Sequence, residues 1–147
     1  MFRKIAIAVV LLALAVGIAP AVAQAPGPAD AAMQYLSSLP NDFKGIAPAA
    51  LKTRLEAGEK PFILDVREQN EVAGGMVQGA VWIPIRTLPQ NVSKIPSDKN
   101  AEIVVICQSS LRAAYVTMAL TVGGYTNAKT MTLGMREWYA QNFPVVK

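Results

Sequence analysis

The chain has 147 residues, a formal net charge of +4, one cysteine and no histidine. The missing histidine excludes a Ser/His/Asp triad, a Cys–His protease pair, a zincin helix and any histidine-ligated metal. The single cysteine excludes an intramolecular disulfide, a CxxC redox pair and a thiolate zinc site, so neither a metal nor a cofactor is expected and the chemistry falls to Cys107, carboxylates, arginines, hydroxyls or the backbone.

Residues are 52% hydrophobic, and the excess is concentrated at the start. Arg3 and Lys4 precede an uncharged, almost wholly apolar run from Ile5 to Ala23 that is broken by Gly17 and Pro20 and ends Ala21-Val22-Ala23. This layout predicts a secretory signal over residues 1–23, cleaved after Ala23, and hence a periplasmic or secreted protein with no membrane association once the signal is removed. The alternative is an uncleaved anchor, because the run approaches the ~20 residues that cross a bilayer. Gly17, Pro20 and the small residues at the cleavage positions argue against it. No cysteine lies near the signal to receive a lipid.

Cleavage removes Arg3 and Lys4 and leaves about 124 residues, enough for one domain with its own core. The remaining charge is small, so a nucleic-acid partner is not expected.

Residues 24–45 read as a Pro/Gly/Ala linker and an N-terminal extension, with a short helix from Asp30 to Leu39 capped by Asp30 and carrying Met33, Leu36 and Leu39 on one side. The domain proper is expected over residues 46–147. Pro48 is a good first helical residue, Leu51 and Leu55 repeat at four, and Gly58 closes the helix. Phe62-Ile63-Leu64 is a strand running into Asp65-Val66-Arg67-Glu68, and Ala80 to Pro84 is another, stopped by its proline.

Ile103-Val104-Val105-Ile106 is the most apolar and β-branched run and belongs at the centre of a sheet. A polar turn, Cys107-Gln108-Ser109-Ser110, then precedes a helix from Leu111 to Val122 with Leu111, Tyr115, Met118 and Val122 in register on one face. A weaker strand from Ala128 to Leu133 and a closing helix from Met135 to Asn142 complete the chain, with Trp82 and Trp138 read as core. Alternating strands and helices predict an α/β fold with a mostly parallel sheet covered on both faces.

Cys107 therefore stands at the carboxyl end of the central strand, where open α/β sheets place ligands. Free N–H groups of the turn, the positive end of the following helix and Arg112, five residues on, all favour thiolate over thiol. The competing view is a small buried hydrophobe at the end of an apolar run. The polar turn, the arginine and the exported compartment favour an anion-binding or nucleophilic loop.

Asp65-Val66-Arg67-Glu68, Glu71, Gly75 through Ala80 with Ile83-Pro84, Cys107 through Arg112, and Leu133-Gly134 with Trp138 follow one another in an order that resembles a rhodanese homology domain, from about Ile46 to Val146. The resemblance implies a three-layer fold on a five-stranded parallel sheet. It also implies sulfur transfer: Cys107 takes a sulfane sulfur from thiosulfate or a persulfide donor and passes it to a thiol or cyanide acceptor, or to a partner protein. Gln108, Ser109, Ser110, Leu111 and Arg112 would form the active-site loop, with Arg112 lowering the thiolate pKa or orienting the loop; a helix-start arginine paired with a carboxylate is the structural alternative for Arg112. Asp65 would fix that loop or a neighbouring arginine, and Arg67 would face the substrate mouth; a strand-end salt bridge from Arg67 to Glu68 or Glu71 is the structural alternative.

The five-residue spacing from Cys107 to Arg112 is the sulfurtransferase form of the loop, one residue shorter than in rhodanese-fold phosphatases and arsenate reductases. Gln108 stands where the family usually has a basic residue, and Ser110 where it has glycine. The first departure favours a neutral or protein-bound persulfide donor, or a catalytically weak module that binds a sulfur oxyanion or a partner. The second costs on the order of 1 kcal/mol if the position is left-handed. Further departures are Gly75-Met76-Val77 for the usual Gly-His-Ile and Leu133-Gly134 for Gly-Gly.

Overall fold

The computed structural model describes residues 27–147; the segment read as a signal and its cleavage position lie outside the described residues. The elements in chain order are α1 (Pro28–Ser37), β1 (Gly45–Ile46), α2 (Pro48–Glu56), β2 (Phe62–Asp65), α3 (Gln69–Val72), β3 (Val81–Trp82), β4 (Ile103–Ile106), α4 (Leu111–Val122), β5 (Ala128–Met131) and α5 (Gly134–Ala140), with short 3-10 turns at Ile85–Gln90 and Val92–Lys94. The five strands form one parallel sheet in the order β1-β5-β4-β2-β3, which puts the β-branched Ile103–Ile106 run in the middle as expected.

Alternation along β4 divides the core. Ile103, Val105 and Cys107 face α4 together with Leu64, Val66, Ala113, Val116 and Leu120. Val104 and Ile106 face α2 and α5 with Leu51, Ile63, Met135 and Trp138. The result is the expected three-layer α/β fold with a wholly parallel five-stranded sheet. Among the described residues no helix is long and apolar enough to cross a membrane.

Several local expectations are corrected. The first helix begins at Pro28, and Asp30 is not its cap; it sits three residues inside and accepts the Gly27 N–H at 3.0 Å. Proline tolerates the first position because that N–H has no helical partner. Met33 and Leu36 are exposed, whereas Tyr35 turns toward Thr121 and Val122 of α4. The face of α4 is also reversed: Leu111 and Tyr115 are each 60% exposed, and the buried residues are Ala113, Val116, Thr117 and Leu120. Trp82 is not core. It lies on the edge strand, partly exposed, and donates its indole N–H to the Arg67 carbonyl at 2.9 Å.

Candidate active site

Parallel strands β2 and β4 end side by side, Asp65 opposite Ile106, so that the segments following them meet at one edge of the sheet. Cys107 is the first residue beyond β4 and is buried. Its Sγ accepts the Ala113 N–H of α4 at 3.4 Å. Between them, Gln108 to Arg112 arch over the sulfur, and among the described residues none of their five backbone N–H groups has an acceptor within the protein. Three of these, on Ser110, Leu111 and Arg112, are among the unpaired donors that open any helix, and the fourth such donor, on Ala113, is the one that meets the sulfur.

The turn closes through Ser110, whose φ of 77° and ψ of −23° lie in the left-handed region. That conformation sends the chain from β4 directly into α4, and the Ser110 hydroxyl donates to the Ser109 carbonyl. The other side of the turn is held by α5. The Met135 N–H donates to the Cys107 carbonyl at 2.8 Å and the Arg136 N–H to the Gln108 carbonyl at 3.0 Å. Gly134, with φ of +64°, permits this approach, since a Cβ there would stand 2.4 Å from the Cys107 oxygen. Leu133, the preceding residue, is itself left-handed at φ 60°.

Arg112 does not stand alone beside the sulfur. Its two terminal nitrogens each donate to a Glu71 carboxylate oxygen at 2.6 Å. The pair holds Glu71 below the usual carboxylate range, chiefly through the hydrogen bonds from Arg112, and raises Arg112, to which the Cys107 sulfur also contributes. Glu71 further accepts the Glu68 N–H at 2.8 Å and so caps α3. The sequence names Glu71 only within the resemblance and as an alternative partner of Arg67, not as the partner of Arg112. The spacing Glu68-x-x-Glu71 is the available signal, since an acidic residue three positions inside a helix start serves as the far half of a capping box.

Asp65 and Arg67 form a buried pair, with Arg67 Nη2 2.7 Å from Asp65 Oδ2 and the Nε–H shared between both carboxylate oxygens. Arg67 therefore does not face a substrate mouth, nor does it pair with the side chains of Glu68 or Glu71. It donates to the Glu71 carbonyl at 3.1 Å, the Gly75 carbonyl at 2.8 Å and the Tyr139 hydroxyl at 2.9 Å, and Tyr139 in turn donates to Gly75. Asp65 fixes an arginine, and that arginine holds the backbone of the residue gripping Arg112. A cavity of about 570 Å³ lined by Leu55, Ile63, Val77 and Trp138 contains none of these residues. No cluster of His, Cys, Asp or Glu among the described residues is arranged to hold a metal.

The geometry suits a sulfur nucleophile and a small group lodged among backbone N–H donors. Comparison with known proteins agrees in class. A family model described as a rhodanese-like domain matches residues 47–141. YtwF of Bacillus subtilis is 37% identical over 105 residues, covering 70% of this chain and 97% of its own. A sulfurtransferase of Allochromatium vinosum is 29% identical over 97 residues, covering 66% of this chain and 89% of its own. The crystal structure of a rhodanese-like domain protein from Staphylococcus aureus superposes with a TM-score of 0.62 at 28% identity, covering 70% of this chain and 98% of that one.

Proposed function

The chain belongs to the rhodanese-like domain family, and from that premise we propose that it is an exported sulfurtransferase working through a persulfide on Cys107. The observation that carries the reading is the placement of the Cys107 sulfur at the end of the central strand, inside a loop whose N–H groups from Gln108 to Arg112 have no protein acceptor.

With thiosulfate as donor, the Cys107 thiolate attacks the sulfane sulfur, a new S–S bond forms, and the donor's S–S bond breaks with its electron pair leaving on sulfite. The loop N–H groups hold the sulfite oxygens as charge gathers there and afterwards the outer sulfur of the persulfide. A thiolate or cyanide acceptor then attacks that outer sulfur, and Cys107 departs as thiolate. Once Cys107 has lost its thiol proton to solvent, charge is conserved in both steps and neither transfers a proton, which is compatible with a chain lacking histidine. A persulfide donor, small or carried on a partner protein, enters by the same exchange with its own thiolate leaving. In this reading residues 1–23 direct export and are removed after Ala23, so the enzyme acts in the periplasm or outside the cell.

Intact-mass measurement of the exported chain after incubation with thiosulfate or a polysulfide tests the proposal. A single-sulfur adduct is expected, discharged by cyanide and absent from Cys107→Ser. Absence of an adduct with every donor, in a folded protein, overturns it. Gln108 and Ser110 favour one second reading, a module that binds a sulfur oxyanion or partner without turnover. Thiosulfate binding without adduct formation would select it. Release of phosphate from an aryl phosphate would instead select the phosphatase chemistry that the short loop disfavours.

A further inference from the structure

Arg112 is the cation nearest the Cys107 loop in sequence, yet its charge is met by Glu71 through two bonds of 2.6 Å. Gln108 supplies no charge. A different arginine comes to the same place from the far end of the chain: the Arg136 N–H lies 3.0 Å from the Gln108 carbonyl, which clamps the first turn of α5 against the loop. Side chains on a helix lean toward its N-terminus and cover the turn before their own Cα. Helix α5 starts at Gly134, against the loop, so for a residue in its first turn an N-terminal lean is a lean toward the Cys107 turn. Arg136 is exposed, and among the described residues its guanidinium has no ion-pair or hydrogen-bond partner. Its acidic neighbour Glu137 is engaged by Gln141 at 2.7 Å.

Resting on the sulfurtransferase reading, we propose that Arg136 is the specificity-determining cation of the site, drawing anionic donors to Cys107 in place of the basic residue that Gln108 displaces. A unit charge acting across several ångströms of solvated space changes the local concentration of a monoanion roughly threefold and of a dianion such as thiosulfate about tenfold. The effect is electrostatic, so about 1 M salt abolishes it. Donors without charge would not sense it. The turn is held through backbone bonds, so the guanidinium is free to act on solute rather than on structure.

The test compares two alkylating probes of Cys107 that differ in charge, iodoacetate and iodoacetamide, by intact mass on the whole chain at low and high salt. Arg136→Gln is expected to lower the iodoacetate-to-iodoacetamide rate ratio about threefold at low salt, Arg136→Glu to lower it further, and Arg136→Lys to preserve it. All four proteins should converge in high salt. An unchanged ratio, or equal slowing of both reagents, overturns the proposal.

Calorimetric thiosulfate binding gives the same comparison should neither reagent reach the thiol: about a tenfold loss in Arg136→Gln supports the role, and no loss, or no binding to the unaltered protein, overturns it. A charge-sensitive ratio in a chain that never accepts sulfur would leave Arg136 its role and remove the sulfurtransferase reading. The two failures are therefore distinguishable.

Discussion

At the scale of single residues the site depends on where backbone and charge are spent. Ser110 takes a left-handed conformation that an L side chain pays for with on the order of 1–2 kcal/mol, a strain visible at φ 77°. Ser110→Gly releases that strain and forfeits part of it to the greater freedom of glycine in the unfolded chain, so a gain of about 0.5–1 kcal/mol in denaturant unfolding is expected. A loss would mean that the bond to the Ser109 carbonyl outweighs the strain. The order of strand, polar turn and helix made the position of Cys107 and Arg112 legible, while their roles stayed open between a buried hydrophobe and a nucleophile and between a loop cation and a paired arginine. Glu71 was not legible as that partner, since it meets Arg112 across 41 positions and only the parallel alignment of β2 with β4 brings them together. For the same reason the sequence leaves Arg67 between the substrate mouth and a salt bridge to Glu68 or Glu71: nothing local shows that Tyr139 and the Gly75 carbonyl close around it.

Elements were read most accurately where one pattern governed them and least where two competed. The central strand, α2 and the boundaries of α4 followed from β-branching, Pro48 and the polar turn. The inward face of α4 did not, because a stripe of large apolar residues, Leu111, Tyr115, Met118 and Val122, suggested the core. The sheet instead takes the smaller set, Ala113, Val116 and Thr117 with Leu120, which lets the helix approach closely enough for the Ala113 N–H to reach the Cys107 sulfur. Thr117 is accepted inside because its hydroxyl meets that of Thr130 at 2.8 Å.

The buried Asp65–Arg67 pair ties β2 to α3, α5 and the segment at Gly75. Removing one member of such a pair strands the other without water. Asp65→Asn is accordingly expected to cost about 3 kcal/mol in chemical denaturation. Tyr139→Phe, which keeps the ring and removes the hydroxyl between Arg67 and Gly75, should cost about 1–2 kcal/mol.

Across the whole molecule the charges fall at opposite edges of the sheet with separate duties. Beyond the C-terminal ends of the strands lie Cys107, Arg112 and Glu71. At the N-terminal end Glu102, just before β4, binds Arg54 of α2 at 2.6 and 2.9 Å and Lys129 of β5 at 2.9 Å, and Arg54 also holds Glu59. The hydrogen bonds from Arg54, followed by those from Lys129, depress Glu102 from 4.5 to about 2. A carboxyl whose folded value lies below its unfolded one contributes its full stabilisation above the unfolded value and loses it as pH falls toward the folded one.

Stability toward denaturant should therefore be nearly flat from pH 7 to about 5 and decline below about 4.5, with the Glu102 contribution spent near pH 2, and Glu71 adds to that decline in the same direction. Glu102→Gln should be less stable than the unaltered chain at pH 7 and show a shallower acid decline, the two curves drawing together near pH 2. Because Glu102 stands at the edge away from the sulfur, the ratio of iodoacetate to iodoacetamide alkylation at Cys107 should be unchanged in Glu102→Gln at pH 7. Parallel acid curves for the two proteins would show instead that the Arg54–Glu102–Lys129 cluster does not set acid stability.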